Sequence, residues 1–316
     1  MNDVSKWPAE ARVSVVISAY AMRRWRLLLA AIESVQRQRP AAHEIVLVVD
    51  HNDELLARAS SELDGVHVIP NEERQGLSGA RNTGVRHARG QIIAFLDDDA
   101  EARSGWLAGL LKAFEDPAVM GAGGVAHPVW EGRPPRWLPP EFLWVVGASY
   151  RGLPLERAAI RNPIGATMAF RRKAFEQAGG FADGIGRVGR IPLGCEETEF
   201  AIRLRQIAPH SVLLHVPEAQ VDHHVGADRG TFRYFATRCW GEGVSKAIVA
   251  SSVGAEAGLA SERAYVRRTL PSGFAEGIRA ALRGDPAGLA RSLAIAAGLS
   301  ITTAGYLRGR LTLRGR

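Results

Sequence analysis

Short apolar runs alternate with stretches of helical spacing through the first two-thirds of the chain. The runs at residues 13–18, 45–49, 66–69 and 92–96 are rich in Val and Ile and bounded by polar residues. Runs of that length and make-up read as strands buried on both faces. Residues 25–38 place Leu28, Ala31, Ile32 and Val35 on one helical face and end before Pro40. Further helices are expected from residue 53 to about 61, from 76 to 88 behind Ser78, and from 104 to 114. Strands are expected at 119–125, 165–170, 212–216 and 219–221, with a helix after Cys195. Such alternation predicts an α/β protein with a doubly wound, mostly parallel sheet and helices on both faces. One insertion, residues 126–162, breaks the pattern with Pro128, Pro134, Pro135, Trp137, Phe142 and Trp144. It reads either as a functional lid or as a loop that its aromatic residues pin to the core.

Polar residues at the ends of the runs supply the candidate chemistry. The second run ends in Asp50 and the fourth in Asp97, Asp98 and Asp99. Open α/β sheets bind ligands at the carboxyl ends of their strands. Three adjacent carboxylates repel one another, and a cation relieves that repulsion. In an extended segment Asp97 and Asp99 point to one side and Asp98 to the other. Taken alone, the triplet is equally a solvated acidic turn or a helix start. The glycine-rich stretch Gly76-Leu77-Ser78-Gly79-Ala80-Arg81-Asn82-Thr83-Gly84 suits a phosphate or is simply an amphipathic helix with a solvated Arg81. Glu196, Glu197 and Glu199 open a helix, where the dipole favours acids anyway. Asp222-His223-His224 offers metal ligands or surface residues.

Charge divides the chain. Residues 229–316 carry 14 basic and 5 acidic side chains, and the remainder 26 and 28, so the whole net charge of +7 arises in the last quarter. That quarter suits an anionic surface, and with no nucleic-acid module recognisable the membrane is favoured. Residues 292–307 are uncharged and run into Arg308, Arg310, Arg314 and Arg316. They are expected to form an interfacial helix beside a basic tail, or else a helix packed on the enzyme. Two distant cysteines, Cys195 and Cys239, indicate no disulfide framework and a reducing compartment. Residues 1–11 lack an apolar signal core, so no secretion signal is expected.

Five stretches, in order, resemble family 2 glycosyltransferases. They are Val15-Val16-Ile17-Ser18-Ala19-Tyr20, Val48-Val49-Asp50, the glycine-rich stretch at 76–84, Phe95-Leu96-Asp97-Asp98-Asp99, and Glu196-Glu197-Thr198-Glu199-Phe200. Asp50-His51-Asn52, Gly186-Arg187-Val188-Gly189 and residues 238–246 further resemble an actinobacterial-type subgroup with glucosyl-dolichyl-phosphate glucuronosyltransferase-like members.

The resemblance implies a glycosyltransferase A-type fold over residues 1–228, and the spacing and charge of residues 229–316 lead one to expect a helical, basic, membrane-associated extension after it. It implies an inverting, metal-dependent, hexosyltransferase-like enzyme that moves a sugar from a UDP-sugar to a hydroxyl acceptor. The acceptor would be linked to polyprenyl phosphate or be a cell-surface polysaccharide precursor, and the enzyme cytoplasmic, peripheral on the inner face of the membrane. Ala19, Tyr20, Asp50, Arg81, Asp97 and Asp98 would line the nucleotide-sugar, with Asp50 on the uracil ring. Asp97, Asp99 and His223 would hold Mg2+ or Mn2+. Glu197 falls where the family carries its catalytic base, usually Asp, with Glu196 as its rival. One alternative is a nucleotidyltransferase, although the early glycine-rich, lysine-bearing loop of such enzymes is absent. Another is a non-catalytic nucleotide-sugar-binding or membrane-scaffold protein.

Overall fold

The computed structural model describes residues 12–187 and 193–314. The expected absence of a signal at 1–11, Val188 and Gly189 of the subgroup motif, and Arg316 lie outside them. The chain opens with β1 (Val13–Ala19), α1 (Trp25–Gln36), β2 (Glu44–Val49), α2 (Asp53–Glu62), β3 (His67–Pro70), α3 (Leu77–His87) and β4 (Ile92–Asp97). Short β5 (Ala100–Ala102), α4 (Trp106–Ala113) and long β6 (Val119–Trp130) follow. After the insertion come β7 (Ala158–Ala159), β8 (Thr167–Arg171), α5 (Arg172–Ala178), α6 (Glu196–Ile207) and β9 (Val212–Val225). The C-terminal quarter is helical: α7 (Phe232–Ser252), α8 (Ala255–Gly258), α9 (Ala260–Ala264), α10 (Leu270–Leu282) and α11 (Pro286–Arg314).

The sheet order is β3-β2-β1-β4-β8-β6-β9-β5, with β7 against β9. Pairings among β1 to β4 are parallel, as the alternation with helices predicts. Beyond β4 the sheet is mixed, because β8 is antiparallel to both β4 and β6. The reason lies in the insertion: β6 carries the chain to the acid-bearing edge, no crossover helix returns it, and β8 must start from that edge. The two short strands expected at 212–216 and 219–221 are one continuous strand, β9.

Side chains alternate across the sheet. Val15 and Ile17 pack with Leu28 and Ile32 of α1, Leu55 of α2 and Leu110 of α4 on one face. Val16 and Phe95 pack with Ala80 of α3, Phe175 of α5 and Phe200 of α6 on the other. A third cluster joins the insertion to the C-terminal helices through Phe142, Val146, Phe235, Cys239, Leu270 and Ile295. The insertion is therefore pinned by its aromatic residues, while Trp144 and Tyr150 face the cavity described below.

Residues 292–307 fall inside α11, whose inner face buries Ser292, Ala294 and Ile295. Its outer face exposes Leu289, Leu293, Leu307 and Leu311, spaced to lie along one stripe. Among the described residues, Pro286–Leu313 is the one helix long and apolar enough to cross a membrane. The reading of a helix packed on the enzyme thus holds for the inner face of α11.

Candidate active site

Strand register builds the acidic edge. Ser18 of β1 lies between Val48 and Asp97, so Ala19, Asp50 and Asp97 leave the sheet together. This is the point at which strand order reverses about β1, where a crevice opens. The chain then turns through Asp98 and Asp99 into β5, whose Ala100 pairs with His223 of β9. That pairing sets the His223 ring beside Asp99, with Nε2 at 3.2 Å from Oδ1. Its neighbours point elsewhere: His224 meets Glu101 at 2.7 Å and Asp222 meets Arg103 at 2.6 Å. Strand alternation thus selects one residue of the Asp-His-His triplet. Gly147, at φ 82°, packs against that imidazole, and a Cβ there would lie 2.9 Å from the ring.

Asp97, Asp99 and His223 each offer one ligand atom, all within 4.8 Å of one another. Two carboxylate oxygens and an imidazole nitrogen suit Mg2+ or Mn2+. The Asp99–His223 contact sets two acceptors face to face unless a proton or a cation joins them. Nδ1 of His223 and Oδ2 of Asp98 are buried with no hydrogen-bond partner. The residues present therefore fit a divalent cation.

Arginines hold these acids. Arg24, at the turn before α1, donates to Asp98 at 2.6 Å and meets Asp99 at 3.0 Å. Arg229, after β9, meets Asp99 at 3.2 Å. Burial disfavours charge on Asp99, but His223, Arg24 and Arg229 overcome it and hold the carboxyl well below its usual range. Burial pushes Asp98 up to about 6, against Arg24 and helped by Asp99 and Asp97.

Arg81 of α3 is buried, and its fork is committed. One nitrogen donates to Glu196 at 2.6 Å; the other reaches Asp97 at 3.2 Å and the Gly165 carbonyl at 3.0 Å. The glycine-rich stretch is thus not a free phosphate loop. It starts α3 at Leu77, and Gly84 lets the helix close on β1, where a Cβ would meet Val16 at 2.4 Å. Asp50 accepts from Asn71 at 2.7 Å and from the Gly76 amide at 3.0 Å, beside His51.

Across the crevice, Cys195 in the left-handed conformation turns the chain into α6 and places Glu196 and Glu197 in its first turn. Burial, with Glu196 alongside and Glu242 beyond, pushes Glu197 up to about 8 against the pull of Arg81. Ala19, Tyr20, Asp50, Arg81, the three aspartates, Glu196, Glu197 and His223 all line one cavity of about 760 Å³. Its remaining wall includes Arg161 and Glu262 of α9, which no motif covers, and Arg238, Glu242 and Lys246 of α7, which fall in the subgroup stretch 238–246. Arg24 and Arg229 were also missed, because only the folded register sets them against the acids.

Residues 14–179 match the family model described as Glycosyl transferase family 2. The glucosyl-dolichyl phosphate glucuronosyltransferase of Haloferax volcanii is 31% identical over 242 residues, covering 75% of this chain and 77% of that protein. Polypeptide N-acetylgalactosaminyltransferase 12 of Mus musculus is 29% identical over 224 residues, covering 62% of this chain and 37% of that one. Among solved structures, a mannosyltransferase from Pyrobaculum calidifontis in complex with GDP-Man and Mn2+ matches with a TM-score of 0.60 at 19% identity, over 95% of this chain and 88% of that one. GalNAc-T7 with UDP, GalNAc and Mn2+ matches with a TM-score of 0.51 at 22% identity, over 67% and 43%. The two structures share the fold.

Proposed function

The chain belongs to glycosyl transferase family 2, and on that premise we propose that this glycosyltransferase moves a sugar from a UDP-sugar to a hydroxyl of a lipid-linked acceptor, with inversion. The observation that carries the proposal is one cavity with two chemistries. Asp97, Asp99 and His223 converge on one wall, and the half-buried Glu197 stands on another.

Asp97 and Asp99, joined by His223, would hold Mg2+ or Mn2+. When bound, the cation neutralises charge developing on the departing diphosphate. Arg81, Arg24 and Arg229 keep the acids oriented. Asp50 meets the base, beside Ala19 and Tyr20. Glu197 takes the acceptor proton as the hydroxyl oxygen bonds to the anomeric carbon and the bond to the diphosphate breaks. Attack from the side opposite the leaving group inverts that carbon. Glu196, bound to Arg81, orients the helix and is not the base.

Residues 1–228 form the catalytic unit in this reading. Residues 229–316 complete the acceptor side and attach the enzyme to the inner face of the membrane through the exposed leucines and basic residues of α11. The relative in Haloferax volcanii, named for a dolichyl phosphate substrate, supports a lipid-linked acceptor. The test is nucleotide release from a panel of UDP- and GDP-sugars with Mn2+, Mg2+ or EDTA. Release from a UDP-sugar that EDTA abolishes is expected. Release unaffected by EDTA overturns the metal assignment.

A further inference from the structure

In the same cavity, one carboxylate is held as a phosphate would be. Arg161 lies in the segment between β7 and β8. Its Nη1 donates to Glu262 Oε2 at 2.5 Å and its Nη2 to Oε1 at 2.9 Å. Lys246 of α7 donates to the same Oε1 at 2.5 Å and meets Glu242 at 3.0 Å. One carboxylate therefore receives three N–H donors from two cations on separate elements. A guanidinium fork beside an ammonium is the geometry that binds two oxygens of a phosphate ester.

The surroundings narrow the ligand. Leu153, Pro154, Val266, Leu270 and Leu299 line the same cavity, so the cavity that holds the cluster also offers apolar wall. Glu242 links the site to the catalytic side, because it also accepts from the thiol of Cys195 at 3.4 Å. Cys195 directly precedes Glu196 and Glu197. Glu262 itself rides on α9, a helix of five residues, and its side chain is 20% exposed. Were Glu262 displaced, Glu242 would remain to balance Lys246.

The geometry points to an oxyanion subsite, made by Arg161 and Lys246, that receives the phosphate of an acceptor built on a long apolar alcohol. Glu262 occupies the subsite until that acceptor arrives. No covalent step occurs there; the phosphate exchanges with the carboxylate, and a sugar attached to it extends toward Glu197. The inference rests on the glycosyltransferase reading above and adds to it the residues that recognise the acceptor.

The test uses the full chain in detergent micelles, with decaprenyl monophosphate, decaprenol and inorganic phosphate as probes. Binding is read by isothermal titration, and UDP binding with Mn2+ is measured on the same samples. Wild type is expected to bind decaprenyl monophosphate on the order of ten-fold tighter than decaprenol. Arg161→Gln and Lys246→Gln should each erase most of that preference. Glu262→Gln, which keeps the shape but removes the competing charge, should strengthen binding of the phosphate several-fold and leave decaprenol unchanged. Equal binding of the two lipids by wild type overturns the subsite, as does a preference that survives both cation substitutions. Inorganic phosphate binding as tightly as the lipid would make it a free-anion site and overturn the lipid assignment. If these outcomes fail while UDP and Mn2+ still bind, only the subsite falls. If wild type binds no UDP with Mn2+, the donor reading falls.

Discussion

Two neighbouring glutamates differ by one contact. Glu196 is fixed on Arg81 at 2.6 Å, whereas Glu197, among the described residues, keeps Thr198 at 3.2 Å as its side-chain partner. Glu197→Gln should therefore lower transfer by on the order of 10²–10⁴-fold and spare UDP binding. An equal loss of UDP affinity in steady-state and titration measurements would make Glu197 structural. The pH dependence follows from burial. A base pushed up to about 8 works only when deprotonated, so kcat/KM should rise as pH climbs through that region. The rising limb should vanish from the residual activity of Glu197→Gln. Between its ordinary 4.5 and about 8 the folded protein also binds more protons there than the unfolded chain. Stability contributed by this group is thus lost as pH rises, and Glu197→Gln should melt higher than wild type at pH 9. Gly147 offers a second residue test. Gly147→Ala drives a methyl into the His223 ring, so Mn2+ affinity read by titration should fall several-fold while the far-ultraviolet spectrum is unchanged. Unchanged affinity would remove His223 from the metal set.

At the scale of elements, α11 shows why a deletion would mislead. Ile295 packs in the cluster with Phe142 and Phe235, so removing the helix would open that core. The membrane reading is better tested on the outer face. Replacing Leu289, Leu293, Leu307 and Leu311 with Ser removes exposed apolar area without touching the inner face. Co-sedimentation with anionic liposomes should drop several-fold at low salt, and UDP binding should persist. If the variant sediments as well as wild type, this face does not hold the protein on the membrane.

At the scale of the molecule, charge and cavity are coupled. The chain concentrates carboxylates at one sheet edge and offsets them with Arg24, Arg81 and Arg229. Mn2+ and UDP should then bind jointly. At about 100 times its Kd, such a ligand adds roughly 2.7 kcal/mol to stability, which calorimetry reads as a rise in Tm of several degrees. The rise should need both components and disappear with EDTA; a full shift from UDP alone would show that donor binding needs no cation.

The sequence by itself determined the parallel half of the sheet, since buried strands and amphipathic helices are written in local apolar periods. It also placed acids at the ends of β2 and β4, because Asp50 and Asp97 directly follow the apolar runs at 45–49 and 92–96. Periodicity could not decide that β8 runs backwards, since an antiparallel strand has the same local pattern as a parallel one. Nor could it choose among Asp222, His223 and His224, whose facing depends on the register of β9 against β5. Arg24, Arg229, Arg161 and Glu262 were beyond it for the same reason; Arg81 and Lys246 lie in the quoted motifs, but their partners do not follow from them. Each is an ordinary charged residue in its own segment. Only tertiary structure brings these side chains, separated by up to 130 residues, within hydrogen-bond distance of one another.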